Sequence, residues 1–214
     1  MSGRLDLITA LIRKFQYDSY LEIGCRDDET FKDVPCKNKV GVDPEKGGTH
    51  RQTSDVFFDL ILTDTASIFW RDLIFIDGLH TKEQVMKDVD NSLICLDNRG
   101  VIVVHDCIPK TEECQLSIEE FRDKYDVEPP DGRPWNGDVW KGFWELAKRP
   151  DIDLAILDQD WGCGVIVPRK NTCLMVDEFE DGITWDDFDD VYLANIRIYK
   201  TIGEMIALVK GDLI

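Results

Sequence analysis

The sequence predicts an α/β chain built on a Rossmann-like, doubly wound, mostly parallel seven-stranded sheet with an antiparallel edge strand. Three observations carry this expectation. Leu73-Ile74-Phe75-Ile76 and Val101-Ile102-Val103-Val104 are uninterrupted apolar runs, the pattern of strands covered on both faces by helices. Both run into charged turns, Asp77-Gly78-Leu79-His80 and His105-Asp106, at the strand ends where open α/β sheets collect ligands. The intervening segments alternate strand-like and helix-like patterns, as βαβ units do.

Taken in order, residues 4–15 set Leu5, Ile8, Ile12 and Phe15 at helical spacing, with Leu7 and Leu11 on a neighbouring stripe. A leading helix that packs on the sheet follows from that spacing. Residues 19–24 read as the first strand, closed by a glycine turn, and residues 38–44 as the second, stopped by Pro44. Residues 49–55 have room for a short third strand, with Ser54 as N-cap of a helix opening at Asp55. The fourth strand is 73–76. Thr81-Lys82-Glu83-Gln84 then has the form of a capping box for a helix over 81–95, whose buried face carries Val85, Met86, Val89 and Leu93. Asn98-Arg99-Gly100 turns into the fifth strand. Cys114, Ile118, Phe121 and Tyr125 recur at helical spacing, the stretch 128–134 is broken by Pro and Gly, and 136–148 is helical again. Residues 152–158 and 163–168 form a strand pair around Gln159-Asp160-Trp161-Gly162. Trp185, Phe188, Tyr192 and Ile196 mark one face of a helix in the tail. The expected division is a domain at 1–170, with an acceptor-side insertion around 128–148, and a C-terminal extension at 171–214 packed on the domain or at a dimer interface.

Composition narrows the function. With 214 residues and 43% hydrophobic content, the chain supports one well-formed core. A formal net charge of −18 opposes an extended phosphate-tracking surface, so no nucleic-acid partner is expected. No apolar run reaches the roughly 18 residues of a membrane span, and residues 1–15 are amphipathic rather than a secretory leader. Seven cysteines without a Cys-x-x-Cys pair signal neither a disulfide framework nor structural zinc, which points to the cytoplasm. The acidic run Asp177–Asp190 reads as a solvated face.

The first strand ends in Glu22-Ile23-Gly24, and Asp43 ends the second, 19 residues after Gly24. A glycine there admits a ligand's polar end to the backbone, and an acid about 20 residues on suits a ribose. The same two residues are also ordinary punctuation of an α/β chain. The loop after Gly24 lacks the further glycines of a dinucleotide fingerprint, which counts against NAD or FAD more than against a nucleoside without phosphate.

Leu21-Glu22-Ile23-Gly24, Val42-Asp43-Pro44, Phe75-Ile76-Asp77-Gly78-Leu79-His80 and Val104-His105-Asp106 together resemble the class I S-adenosylmethionine-dependent methyltransferases, specifically the metal-dependent O-methyltransferases of the macrolide-sugar type. The resemblance covers residues 18–168. It implies S-adenosylmethionine as cofactor, with Glu22, Gly24 and Gly78 beside it, Asp43 on its ribose and Ser54 and Asp55 near its adenine. It also implies His80 as general base. The glycine-poor first loop departs from the family pattern.

Two strand-end carboxylates suit a divalent cation that acidifies and orients an acceptor hydroxyl. Asp77 and Asp106 are the expected ligands and His105 the third; Mg²⁺ is the first expectation and Mn²⁺ the alternative, since imidazole tolerates Mn²⁺ or Fe²⁺ better. An imidazole near its ordinary pKa of about 6.5 serves as a general base, although His80 also stands where it would cap the helix at Thr81. Trp135 and Trp140 offer rings for a sugar, and Asn136 and Asp138 offer it hydrogen bonds; Trp140, beside Phe143 and Trp144, reads equally as core. The expected activity is methyl transfer to a hydroxyl of a sugar or small glycan-like metabolite, in a protein that acts alone or as a homodimer. The alternatives are a noncatalytic nucleoside-binding module and a nicotinamide-dependent oxidoreductase on the same scaffold.

Overall fold

The apolar runs form the middle of the sheet. In the computed structural model, which describes residues 3–63, 69–173 and 182–211, β3 (Arg71–Ile76) and β4 (Leu96–Val104) pair in parallel. β1 (Ser19–Ile23) lies against the other side of β3, and β2 (Asn38–Val42) lies outside β1. β5 (Asp153–Leu157) and β6 (Cys163–Val167) complete the other half: β6 runs antiparallel to both β4 and β5. The seven-stranded order is β2-β1-β3-β4-β6-β5-β7, where β7 is the two-residue strand Ile198–Tyr199.

The count of seven matches expectation with one different member. Residues 49–55 supply only an isolated bridge, Val42 to His50, and the seventh strand comes from the tail, pairing with Ile156 and Leu157. The antiparallel strand sits toward the edge, and β5 and β7 lie outside it. Ser54 does not cap the following helix, α2 (Ser54–Thr63); Thr53 Oγ1 accepts from Val56 N at 3.4 Å instead. Of the capping box expected at 81–84, half is present: Thr81 accepts from Gln84 N, while the Gln84 side chain turns to Ser54, Asp55 and Asp88.

Two apolar layers cover the sheet. α1 (Gly3–Phe15) and α6 (Ile202–Lys210) bury Leu7, Ile8, Leu11, Met205 and Leu208 with Tyr20, Leu73 and Phe75 on one face. α2, α3 (Lys82–Cys95) and α5 (Val139–Ala147) cover Leu21, Ile74 and Ile102 on the other. α4 (Ile118–Tyr125) begins at a capping box on Ser117. The tail helix opens as a 3₁₀ turn at Trp185–Asp187 and continues as a π-helix, Phe188–Leu193, so Phe188, Tyr192 and Ile196 are buried as their spacing predicts. The acidic run expected at Asp177–Asp190 begins among residues 174–181, outside the described residues. Among the described residues no helix is long and apolar enough to cross a membrane.

This topology makes the site. The chain moves outward from β1 to β2, then returns to β3 on the other side of β1, so a crevice opens at the β1/β3 carboxyl ends. The ladder runs one residue past each strand: Gly24 N bonds Val42 O, Asp77 N bonds Ile23 O and His105 N bonds Ile76 O. Gly24, Asp77 and His105 are thereby set in a row along one sheet edge.

Candidate active site

Backbone strain singles out the same edge. Of the eight non-glycine residues with positive φ among the described residues, six lie in the loops leaving β1, β3, β4 and β5: Arg26, Asp28, His80, Asp106, Asp160 and Trp161. Such conformations cost free energy and gather where function requires a particular side-chain direction. His80 (φ +58°) and Asp106 (φ +63°) are both among them.

His80 lies between the two strand-end aspartates. Its Nε2 is 3.2 Å from Asp77 Oδ1 and its Nδ1 3.2 Å from Asp106 Oδ2. His105 Nδ1 lies 3.2 Å from Asp77 Oδ1 and 3.3 Å from Asp106 Oδ1. Although His105 is only 5% exposed, neither ring nitrogen has hydrogen-bond geometry to any partner. A buried imidazole close to two carboxylates yet bonded to neither is an unsatisfied polar group of the kind a bound cation would explain. The ligand atoms that converge within 4.8 Å of one another come from Asp77, His80 and Asp106. His80 is the histidine of this group, and His105, the third ligand expected from the sequence, stands beside it.

Electrostatics couple the four groups. Burial opposes ionisation of Asp77, but His105 and His80 outweigh it and hold its carboxyl well below the usual range. Burial likewise disfavours a charged His80 and His105; Asp106 and Asp77 override it at His80, Asp77 and Asp106 at His105, and both imidazoles are raised above an ordinary histidine. Facing two carboxylates, His80 is thus biased toward its protonated form.

Two charged residues that the sequence reading passed over complete the surroundings. Arg4, in the first turn of α1, donates from Nη1 to Asp77 Oδ2 at 2.7 Å, and its Nε lies 3.1 Å from Asp160 Oδ2. Its backbone N–H donates to the same Asp160 oxygen at 3.2 Å. His105, 3.8 Å from Asp160, and Arg4 hold the Asp160 carboxyl down to about 2. In the sequence Arg4 is one polar residue of an amphipathic helix and Asp160 one residue of a turn, so no local signal marks either.

The expected cofactor residues separate into distinct surroundings. Gly24 (φ +87°) passes so close to the next loop that a Cβ there would lie 2.0 Å from Asp77 O. Gly78 borders a small cleft with Val85, Asp88, Val104 and Val139. Glu22 is buried against Tyr20, whose hydroxyl donates to it; burial raises its carboxyl to about 8. Asp43 accepts from the backbone N–H groups of Arg26, Glu45 and Lys46. A carboxylate has about four acceptor sites, so three are committed to holding the loop and one remains. Ser54 and Asp55 lie in the first turn of α2 and receive Gln84 Nε2 at 3.1 and 3.0 Å. Neither belongs to the Asp77 group. Asp88, also bound by Gln84, is a buried acid pushed up to about 6 by burial.

The residues offered to a sugar are otherwise employed. Trp140 is fully buried among Trp185, Phe188 and Tyr192, so the core reading holds. Asn136 donates to Asp106, and Asp138 accepts from Lys82 N at 2.6 Å. Trp135 stacks on His80.

Residues 43–107, from the end of β2 through the loop after β4, match the family model described as a methyltransferase domain. Over these residues the chain is similar to methyltransferase domains. Solved methyltransferases share its fold. The O-methyltransferase TomG from Streptomyces achromogenes, involved in tomaymycin synthesis and solved with SAM, is 16% identical, with a TM-score of 0.53 over 78% of this chain and 79% of that one. An O-methyltransferase from Bacillus cereus solved with SAH is 16% identical, with a TM-score of 0.52 over 78% of this chain and 80% of that one. At these identities the likeness is one of fold. No curated protein matches this chain.

Proposed function

We propose that this chain transfers a methyl group from S-adenosylmethionine to a hydroxyl, with a divalent cation at Asp77 and Asp106. One observation carries the reading: an imidazole lies between two carboxylates at the mouth of the β1/β3 crevice, 3.2 Å from each. The two similar structures named above were solved with SAM and SAH, which supports an adenosyl cofactor.

The donor set suits a cation. Asp77 and Asp106 would hold it with His105 beside them, and a set containing imidazole favours Mn²⁺ over Mg²⁺. When bound, the ion would lower the pKa of an acceptor hydroxyl and orient it. The chain's own residues then have defined tasks. Gly24 and Gly78 keep the crevice floor free of side chains, Asp43 has one acceptor site left for a ribose hydroxyl, and His80 takes the hydroxyl proton as the acceptor oxygen attacks the methyl carbon and the sulfur–methyl bond breaks to leave S-adenosylhomocysteine. Asp106 orients His80 through Nδ1, and Nε2, 3.2 Å from Asp77 Oδ1, would receive the proton with Asp77 engaged on the cation. The acceptor class is a small hydroxyl compound, and the saccharide expectation rests on the family resemblance alone.

Calorimetric titration with S-adenosylmethionine, S-adenosylhomocysteine and NAD⁺, with and without Mn²⁺ or Mg²⁺, tests this. Heat from both adenosyl ligands and none from NAD⁺ is expected. Silence from both adenosyl ligands overturns the proposal.

A further inference from the structure

Four consecutive residues, Trp135 to Asp138, each contact His80 or a group next to it, from an insertion more than fifty positions along the chain. The Trp135 indole lies over the His80 imidazole, with centroids 5.3 Å apart and planes 18° from parallel. Its carbonyl oxygen is 3.3 Å from His80 Nδ1. Asn136, 1% exposed, donates to Asp106 Oδ1, and its own backbone N–H is fixed on Cys114 O at 2.7 Å. Gly137 (φ +60°) runs against the His80 backbone so tightly that a Cβ would lie 1.9 Å from His80 O. Asp138 Oδ1 accepts from Lys82 N, in the first turn of the helix that follows His80.

We infer that residues 135–138 are a positioning clamp for His80 and not a surface for the acceptor. Each member fixes a different degree of freedom. The indole sets the plane of the imidazole by stacking. The Trp135 carbonyl and Asp106 Oδ2 both face Nδ1, and both are acceptors, so Nδ1 is held from two sides while Nε2 faces Asp77 Oδ1. Asn136 holds Asp106 in the orientation that meets Nδ1. Gly137 and Asp138 pin the backbone on either side, which is how His80 keeps a left-handed φ that a histidine seldom adopts. Trp135 is itself anchored, because its Nε1 donates to Leu116 O at 2.7 Å. With its ring face on His80 and its N–H on a carbonyl, the indole is committed to the clamp.

The clamp rests on the assignment of His80 as the base, but its test does not require methyl transfer. The chain has three histidines, His50, His80 and His105, so carbethoxylation by diethyl pyrocarbonate can be followed at each by peptide mass, with exposed His50 as internal reference. In Trp135→Ala, His80 should react up to about tenfold faster, the factor expected for losing one aromatic stack. His50 should be unchanged and S-adenosylhomocysteine should bind as in the wild type. Trp135→Phe, which keeps a ring to stack, should restore the slow rate. Gly137→Ala perturbs the clamp from the backbone side and should also speed His80 selectively. An unchanged His80 rate in both Trp135→Ala and Gly137→Ala overturns the clamp, as does Trp135→Phe behaving like Trp135→Ala. Loss of S-adenosylhomocysteine binding in the wild type overturns the proposed function instead, and leaves the His80 rates to decide the clamp.

Discussion

Replacing Gly24 by alanine tests whether the end of β1, passing over Asp77, sets the active-site geometry. A Cβ on Gly24 would lie 2.0 Å from Asp77 O, 2.5 Å from Asp77 C and 2.8 Å from Gly78 Cα, where Cβ atoms keep at least 3.0 Å. All three are backbone atoms, so no side chain can swing aside. The loop after β3 must retreat by at least 1.0 Å, the difference between 3.0 and 2.0. A left-handed alanine adds roughly 1–2 kcal/mol, which lowers Tm by about 2–8 °C in a chain of this size. The retreat carries Asp77 away from His80 and His105, each now 3.2 Å away. A misplacement of about 1 Å can cost 10²-fold in rate, and a measurable loss of S-adenosylhomocysteine affinity is expected by calorimetry. Gly182→Ala is the control: its φ is +85° with nothing among the described residues within 4 Å of the added Cβ, so it bears the backbone cost and should leave binding unchanged. Wild-type affinity in Gly24→Ala would refute the claim that this crossing fixes the site.

Other expectations follow from individual groups. Glu22, raised to about 8 by burial, keeps a proton in the folded chain that the unfolded chain releases near its ordinary 4.5; stability therefore falls as pH climbs from about 4.5 to 8. Glu22→Gln should flatten this slope in thermal unfolding, and parallel wild-type and variant curves would show that the buried acid is not its source. Asp77→Asn and Asp106→Asn should each weaken Mn²⁺ uptake, measured by the loss of the free-ion paramagnetic signal; unchanged uptake in both would remove the metal from this site. Trp140→Ala, emptying a fully buried position, should cost about 3–5 kcal/mol in denaturant unfolding. With an acceptor in hand, Trp135→Ala should lower kcat and spare the acceptor KM, and the reverse split would return Trp135 to the acceptor.

The sheet was legible because its central strands state themselves locally. Leu73–Ile76 and Val101–Val104 are apolar without interruption, and only a strand buried on both faces requires that. The acids ending those strands were legible for the same reason: once the strands are parallel, Asp77 and Asp106 share an edge. Residues 49–55 misled because a few polar residues near a strand end match several short structures, and here only His50 pairs. β7 was missed because two residues form no pattern; Ile198 and Tyr199 become a strand only by lying beside β5. For Trp135, Asn136 and Asp138 the neighbours His80, Asp106 and Lys82 were not legible, since polar and aromatic side chains look alike whether they meet a ligand or a histidine.

By itself the sequence determined the parallel core and the edge on which Asp77, His80 and Asp106 meet, because each follows from residues adjacent in the chain. The tertiary structure decided what surrounds them. Arg4 reaches Asp77 across 73 positions, Asn136 reaches Asp106 across 30 and Trp135 reaches His80 across 55. Such contacts depend on how helices and loops pack over the finished sheet, and periodicity along a chain records which face a residue shows without recording what that face will meet.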